Sequence, residues 1–165
     1  MSLTWSMTKT AQGLRVDYQV RNPNAEAIWV VDQQVVPSQN DTWIRSDRAT
    51  VSNSDDRKAV QFSLGPRGND LESDEIYRPT FVELAPSEER AGSFTVPLPL
   101  KAWSPENAMK PLVPDLTSAM LDLYYLPTPP AGWDELKTTD AKPLRVPSKY
   151  TSLMKFTAGP TPIPQ

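Results

Sequence analysis

The sequence predicts an all-β sandwich, because short runs of alternating apolar and polar residues recur along the chain and helical signals are few. The clearest run is 14–21, where every second residue is apolar, as in a strand that buries one face. Proline is abundant, with 18 residues against 6 glycines. Because proline breaks helix interiors but suits strand ends and stiff connections, this composition also favours short strands.

Further strands are predicted on both sides of turn signals. Residues 22–24 have turn chemistry and lead into the apolar run 28–31, so the two runs are predicted to form a hairpin. The absence of alternation in 28–31 predicts a central strand that is covered on both sides. Other strand candidates lie at 3–7, 42–45, 60–64, 80–84, 94–98, 121–125 and 153–156. The total is about seven to nine strands.

Two stretches rich in proline, 99–114 and 127–147, are predicted to be long, ordered, extended loops rather than sheet. Helical signals are confined to 104–107, which has a cap followed by proline, and to 132–136, which has room for one turn. No repeat or linker divides the chain. Residues 1–165 are therefore predicted to form a single β-sandwich domain.

Missing residue types exclude several classes of function. The chain has no cysteine, so disulfides, thiol nucleophiles and thiolate metal sites are ruled out. It has no histidine, which removes Ser-His-Asp catalysis and ordinary zinc sites. The net charge of −3, without a long basic cluster, argues against a nucleic-acid partner. We therefore predict no enzymatic activity and no cofactor, and we assign no catalytic or metal-binding residue.

The chain is predicted to be soluble, because no apolar run approaches the ~18–20 residues that cross a bilayer. The N-terminus also lacks the basic segment and apolar stretch of an export signal. The compartment stays open. It is cytoplasmic if Met1 is the native start, and periplasmic or secreted if a signal sequence was removed.

Two segments resemble bacterial immunoglobulin-like domains. Residues 14–31, a strand, an Asn-Pro turn and an apolar strand, resemble the B and C strands of those domains. Residues 82–89, followed by the strand 93–98, resemble their common ending, in which a Leu-x-Pro turn and a polar pair precede a strand. The resemblance implies an immunoglobulin-like antiparallel β-sandwich with long proline-rich loops, and it carries over no functional residue. Pilus chaperones and small β-sandwich protease inhibitors are more distantly similar.

Three polar motifs have a possible functional explanation and a simpler structural one. Ser152 and Lys155 have the Ser-x-x-Lys spacing of penicillin-recognising enzymes, but a strand would place them on opposite faces. The acidic loop 70–75 contains Asp70, Glu72, Asp74 and Glu75. Alternate carboxylates suit calcium, whereas simple loop solubility is the commoner explanation, and the sequence does not decide between them. The residues 55–58 are predicted to be a polar hairpin tip.

The predicted binding residues are aromatic. Trp103 and Trp133 lie in the proline-rich stretches, and Tyr124 and Tyr125 lie just before the second stretch. An aromatic ring beside rigid proline presents a low-entropy surface to a peptide or a sugar. The alternative is that the tryptophans close the ends of the sandwich. Trp5, Trp29 and Trp43 lie in or beside strands and are predicted to be in the core.

We interpret the chain as a non-catalytic protein-interaction or structural module. A protein partner would contact a sheet edge or the proline-rich loops, and pairing of one edge would also form a homodimer. An edge binds by main-chain hydrogen bonds and so leaves no motif in a sequence. The alternative function is a carbohydrate- or peptide-binding module that uses the loop aromatics.

Overall fold

The computed structural model describes residues 2–46, 48–65, 79–103, 110–140, 142–149 and 152–165. Within these ranges the chain forms 13 β-strands and no helix, which confirms the all-β class. None of these residues belongs to a helix that would cross a membrane. The strands are β1 (Leu3–Thr10), β2 (Gly13–Arg21), β3 (Ile28–Val31), β4 (Gln34–Pro37), β5 (Trp43–Ser46), β6 (Thr50–Asn53), β7 (Val60–Leu64), β8 (Phe81–Leu84), β9 (Glu89–Val96), β10 (Ser118–Leu126), β11 (Trp133–Leu136), β12 (Leu144–Pro147) and β13 (Met154–Pro162).

The prediction of seven to nine strands was therefore too low. The strands that it missed are β4, β6, β11 and β12, each of 4 residues. Strands this short contain too few positions for an alternating pattern to stand out from chance. Two of them also end or begin beside proline, which in a sequence indicates a connection rather than a strand.

A three-stranded antiparallel sheet has the order β1-β2-β9. Its register pairs Leu3 with Val20 and Leu14 with Val96, so the alternating apolar residues of β2 share one face with those of its neighbours. Gly13 begins β2 with φ of 137°, and an added Cβ would lie 2.3 Å from the carbonyl oxygen of Val96. Only glycine fits this close approach.

A six-stranded sheet is organised around β10. Its order is β6-β7-β10-β3-β8, and β13 pairs with the remaining edge of β10. The residues Ala119 to Leu123 pair in parallel with β7, whereas Tyr125 and Leu126 pair antiparallel with β3. One edge of β10 thus pairs first with β7 and then, further along the strand, with β3. As the sequence predicted, β3 is a central strand, between β10 and β8.

Both sheets contribute to one core. Phe62 of β7 is fully buried, and its ring centroid lies 6.4 Å from that of Trp5 and 6.0 Å from that of Phe94, both edge-to-face. These two contacts come from the three-stranded sheet, so Phe62 joins the two layers. Trp5 and Trp29 are partly buried against the same core.

The connection from β2 to β3 passes from one sheet to the other, so the predicted hairpin of 14–21 with 28–31 is wrong. Asn22, buried at this corner, explains the difference. Its side-chain nitrogen donates to the carbonyl oxygens of Glu26 and Leu84, both at 2.9 Å, and its side-chain oxygen accepts from the Asn24 amide at 2.9 Å. The buried amide is satisfied only with the corner in this shape.

A second, smaller core lies between the hairpins β4-β5 and β11-β12. It contains Val35, Leu136, Leu144 and Val146, with Trp43 packed against them. The stretch 127–147 therefore includes sheet, contrary to the prediction of an extended loop, and the helical turn predicted at 132–136 is a strand. The prolines of this stretch stand at the end of β12 or between strands, positions that a sheet tolerates.

Replacing Phe62 by alanine is expected to lower the free energy of unfolding by about 3–5 kcal/mol, because the change leaves a cavity between the two sheets. Ile44, whose exposed fraction is 42%, provides the control, and Ile44→Ala is expected to change stability by about 0.5 kcal/mol or less. Urea denaturation followed by tryptophan fluorescence measures both. Equal losses for the two variants would contradict a shared core at Phe62.

Candidate functional site

Strand β9 has one edge that pairs with no other strand in the described part of the chain. Its other edge pairs with β2 along the whole strand, from Arg21 opposite Glu89 to Leu14 opposite Val96. The Asn22 amide donates to the carbonyl oxygen of Glu88 at 3.0 Å, which sets the alternation of the ladder. Every second residue of β9 therefore directs its amide and carbonyl groups away from β2. The residues with outward backbone groups are Glu89, Ala91, Ser93 and Thr95.

The other sheet edges in the described part of the chain are shorter or protected. Strand β13 contains Pro160 and Pro162, which cannot donate to a new strand. The edge of β6 is occupied by Trp103, whose amide and carbonyl groups bond those of Val51 at 2.9 and 2.8 Å. Strand β8 has only 4 residues, and β1 lies beside β13. By comparison β9 is long and unprotected, which is the property of an edge that accepts a partner strand.

The side chains along this edge are small. Ala91, Ser93 and Thr95 are exposed on the outer face, and Gly92 lies on the inner face opposite Tyr18. An added Cβ at Gly92 would lie 2.3 Å from the hydroxyl oxygen of Tyr18. The tyrosine ring therefore crosses Gly92, and its hydroxyl group comes close to the free edge.

A cavity of about 140 Å³ lies beside this edge, between the two sheets. The residues that line it include Tyr18, Asp32, Gln34, Leu64, Arg90 and Phe94. An ion pair between the Arg90 guanidinium and the Asp32 carboxylate joins β9 to the residue that follows β3. Because both side chains are about one-third exposed, at 36% and 38%, the pair remains accessible to solvent.

The hydroxyl group of Tyr18 contributes a neutral polar group to the wall of this cavity. Burial raises the pKa of Tyr18 to about 12, while Arg90 opposes the rise and Asp32 adds to it. The phenol therefore keeps its proton at neutral pH and both donates and accepts hydrogen bonds.

Gln34 adds an amide to the same wall. It is fully buried, and its side-chain nitrogen donates to the carbonyl oxygen of Arg48. Among the described residues nothing donates to its side-chain oxygen. A buried acceptor without a donor costs about 1–3 kcal/mol. The oxygen is enclosed, so the amide contributes to the wall as a neutral group.

A second polar cleft, of about 280 Å³, lies on the outer face of the six-stranded sheet. Asp122, almost completely buried there, accepts from Thr157 at 2.6 Å and from the Lys155 ammonium at 3.0 Å. Burial alone would lower the pKa of Lys155, but the hydrogen bond and charge of Asp122 raise it. Because these groups satisfy one another, the cleft is a weaker candidate than the β9 edge. No group of three potential metal-ligating side chains occurs among the residues described.

The predicted tryptophans lie in different sheets. Trp103 is half-buried at the edge of β6, and the guanidinium carbon of Arg48 lies 4.1 Å from its ring centroid. Trp133 is half-buried in β11, with the guanidinium carbon of Arg145 at 4.8 Å. In each case a cation covers one face of the indole ring, so that face is not offered to a sugar or a peptide.

The predicted tyrosines project from opposite faces of β10. Tyr125 is buried and stacks on Phe156, with ring centroids 4.3 Å apart, whereas Tyr124 is half-buried and lies against Gly65 on the outer face. The acidic loop 70–75 and the helical signal at 104–107 lie outside the described residues. Ser152 lies in a bend before β13, with φ of 56°, and Lys155 lies within the strand, so the Ser-x-x-Lys spacing does not fall on a helix. The polar tip 55–58 joins β6 to β7 as predicted.

Sequence reasoning missed the edge site. The small residues Ala91, Gly92 and Ser93, with no lysine or proline among them, were a visible signal of an unprotected strand. Whether that strand lies at an edge depends on pairing, and the approach of Tyr18 to Gly92 depends on a register between residues 74 positions apart, which no local pattern contains.

Tyr18 is expected to titrate with a midpoint near 12. Because the folded pKa is raised, its contribution to stability is complete below about pH 10 and is lost as the pH rises towards 12. The full loss is on the order of 2–3 kcal/mol, and about 1.4 kcal/mol of it falls between pH 9 and pH 11. Tyrosinate absorbance of the wild type minus that of Tyr18→Phe gives the midpoint, and urea unfolding of both proteins at about pH 9 and pH 11 gives this change in the free energy of unfolding. A midpoint near 10 would contradict the buried position of the hydroxyl group.

Comparisons with known proteins complete the description of the site. Neither protein-family models, nor curated proteins, nor solved structures returned a match to this chain. The functional interpretation therefore depends on the geometry of the β9 edge and its cavity.

Proposed function

We propose that this chain is a non-catalytic protein-interaction module that binds an extended segment of a partner protein as an additional strand on β9. The observation that carries the proposal is the free edge of β9, 8 residues long and without a charged or proline residue from Ala91 to Val96. Addition of a strand to an exposed edge is a general mode of peptide recognition.

The outward backbone groups supply the binding energy. A strand that paired with β9 would reach the amide and carbonyl groups of Ala91, Ser93 and Thr95, whose side chains are exposed and too small to block it. Each such hydrogen bond is worth about 0.5–1.5 kcal/mol net. The limits of the edge are also defined, because Arg90 is engaged by Asp32 at one end and Pro97 follows at the other.

The scaffold in this proposal is a single immunoglobulin-like sandwich domain. In its support, β1, β2 and β9 form one sheet, and β8, β3, β10 and β13 are neighbours in the other. Both the β2–β3 and the β8–β9 connections pass between sheets, as in Greek-key sandwiches. The segments 14–31 and 82–89, which resemble immunoglobulin-like domains, contain these two crossings. The strands β4 to β7 and the hairpin β11-β12 are additions to that plan.

The loop aromatics support recognition less well than the edge does. Arg48 covers a face of Trp103, Arg145 covers a face of Trp133, and the two tryptophans belong to different sheets. Stacking on a sugar or a peptide requires an open aromatic face. For this reason we favour strand addition over carbohydrate binding.

Ser93→Pro is expected to weaken binding of an extended peptide at least tenfold, or about 1.4 kcal/mol. Proline removes the outward amide of Ser93, which makes no ladder bond to β2, so pairing inside the sheet is retained. The probe is a display library of random peptides selected against the wild-type chain. Binding of the selected peptides to each variant is then measured by isothermal titration calorimetry.

Lys9→Pro is the matched control, because Lys9 is exposed and its amide points outward from β1 in the same way. Its affinity for the selected peptides is expected to equal that of the wild type. Peptides that bound Ser93→Pro as tightly as the wild type would contradict the proposal. So would a concentration-dependent dimer that Ser93→Pro abolished, since the occupant of the edge would then be a second copy of the chain.

A further inference from the structure

We infer that the cavity beside β9 selects a neutral side chain with hydrogen-bonding groups on the partner strand, and that the ion pair of Arg90 with Asp32 determines this preference. The inference rests on the proposed function, because it specifies which residue of the added strand is recognised. The free edge alone provides no selectivity for particular side chains, because its hydrogen bonds are made to the backbone of the partner.

The geometry places one partner side chain at the cavity. Gly92 makes its backbone hydrogen bonds to β2, so a residue opposite Gly92 on an added strand would form a non-hydrogen-bonded pair, in which side chains approach most closely. Side chains on the inner face point towards the space between the sheets. Because Gly92 has no side chain, the Tyr18 ring lies over it, and a partner side chain at this position would meet the phenol hydroxyl group.

The volume suits a side chain of moderate size. The cavity of about 140 Å³ is close in size to the ~150 Å³ engineered cavities that hold a benzene ring. It therefore has room for a side chain such as that of asparagine, glutamine, serine or threonine.

The charges of the wall cancel. The Asp32 carboxylate is paired with the Arg90 guanidinium, Gln34 is a neutral amide, and the Tyr18 phenol is protonated. A lysine or glutamate entering this space would lose hydration without gaining a free counterion, and a buried charge without a partner is costly. An aliphatic side chain would leave the phenol hydroxyl group without a partner. A neutral group that donates and accepts would bond that hydroxyl group.

The test changes the charge of the wall, with Asp32→Asn keeping the shape of the side chain and Arg90→Gln shortening it. Asp32→Asn leaves Arg90 unpaired, and Arg90→Gln leaves Asp32 unpaired. Selection from the same display library is expected to give asparagine, glutamine, serine or threonine at the inward position with the wild type. With Asp32→Asn, the frequency of aspartate or glutamate relative to neutral residues at that position is expected to rise at least tenfold. With Arg90→Gln, the relative frequency of lysine or arginine there is expected to rise by the same factor.

The double variant D32N/R90Q is the matched control. It removes the ion pair but restores a wall without net charge, so the preference for neutral side chains is expected to return. Because Asp32 and Arg90 are about one-third exposed, all three variants are expected to fold, which circular dichroism checks.

The outcomes separate the two proposals. Peptides that lose binding with Ser93→Pro but show no shift at any position with Asp32→Asn or Arg90→Gln would overturn the selectivity and leave strand addition intact. A shift that persisted in the double variant would also overturn it, because charge would not be its cause. Failure of the library to yield peptides sensitive to Ser93→Pro would overturn both proposals.

Discussion

The pairing of β10 (Ser118–Leu126) is the constraint on which the other elements depend. One edge of this strand is filled by β13, and the other is divided between β7 and β3. The parallel pairing with β7 brings Phe62 over the three-stranded sheet, where it meets Trp5 and Phe94. In a chain without cysteine, no disulfide joins the two sheets, and the packing of this shared core holds them together.

The position of the β9 edge follows from this arrangement. With β3 committed to β10, the chain from β2 has to change sheets, and buried Asn22 stabilises that corner with three side-chain hydrogen bonds. The turn after β8 returns the chain to the first sheet, and β9 then becomes its outermost strand. An edge of this kind is a hazard for aggregation unless it is short or protected. Here the Arg90 ion pair and Pro97 stand at its two ends, and the residues from Ala91 to Val96 between them contain no charge or proline that would protect it.

The same ion pair connects the fold with the proposed recognition. Arg90 belongs to the first sheet and Asp32 follows a strand of the second, so their contact spans the opening between the sheets beside the free edge. It leaves a cavity wall of paired charges, a protonated phenol and an amide. Such a wall distinguishes side chains by charge, whereas the backbone ladder of β9 provides attachment that is independent of sequence.

The sequence by itself determined the all-β class and the location of the longer strands, because alternation over eight or nine residues, as in β2, records which face is buried. It also placed β3 at the centre of a sheet. It misjudged the hairpin after β2 and the stretch 127–147, since the pattern of one strand does not specify its neighbour, and proline indicates a break whether or not a sheet continues beyond it. The tertiary structure alone decided which edge is free, that Tyr18 reaches across Gly92, and that Arg90 meets Asp32. Each of these depends on contacts between residues far apart in the chain, and the free energy of such contacts is absent from any local segment.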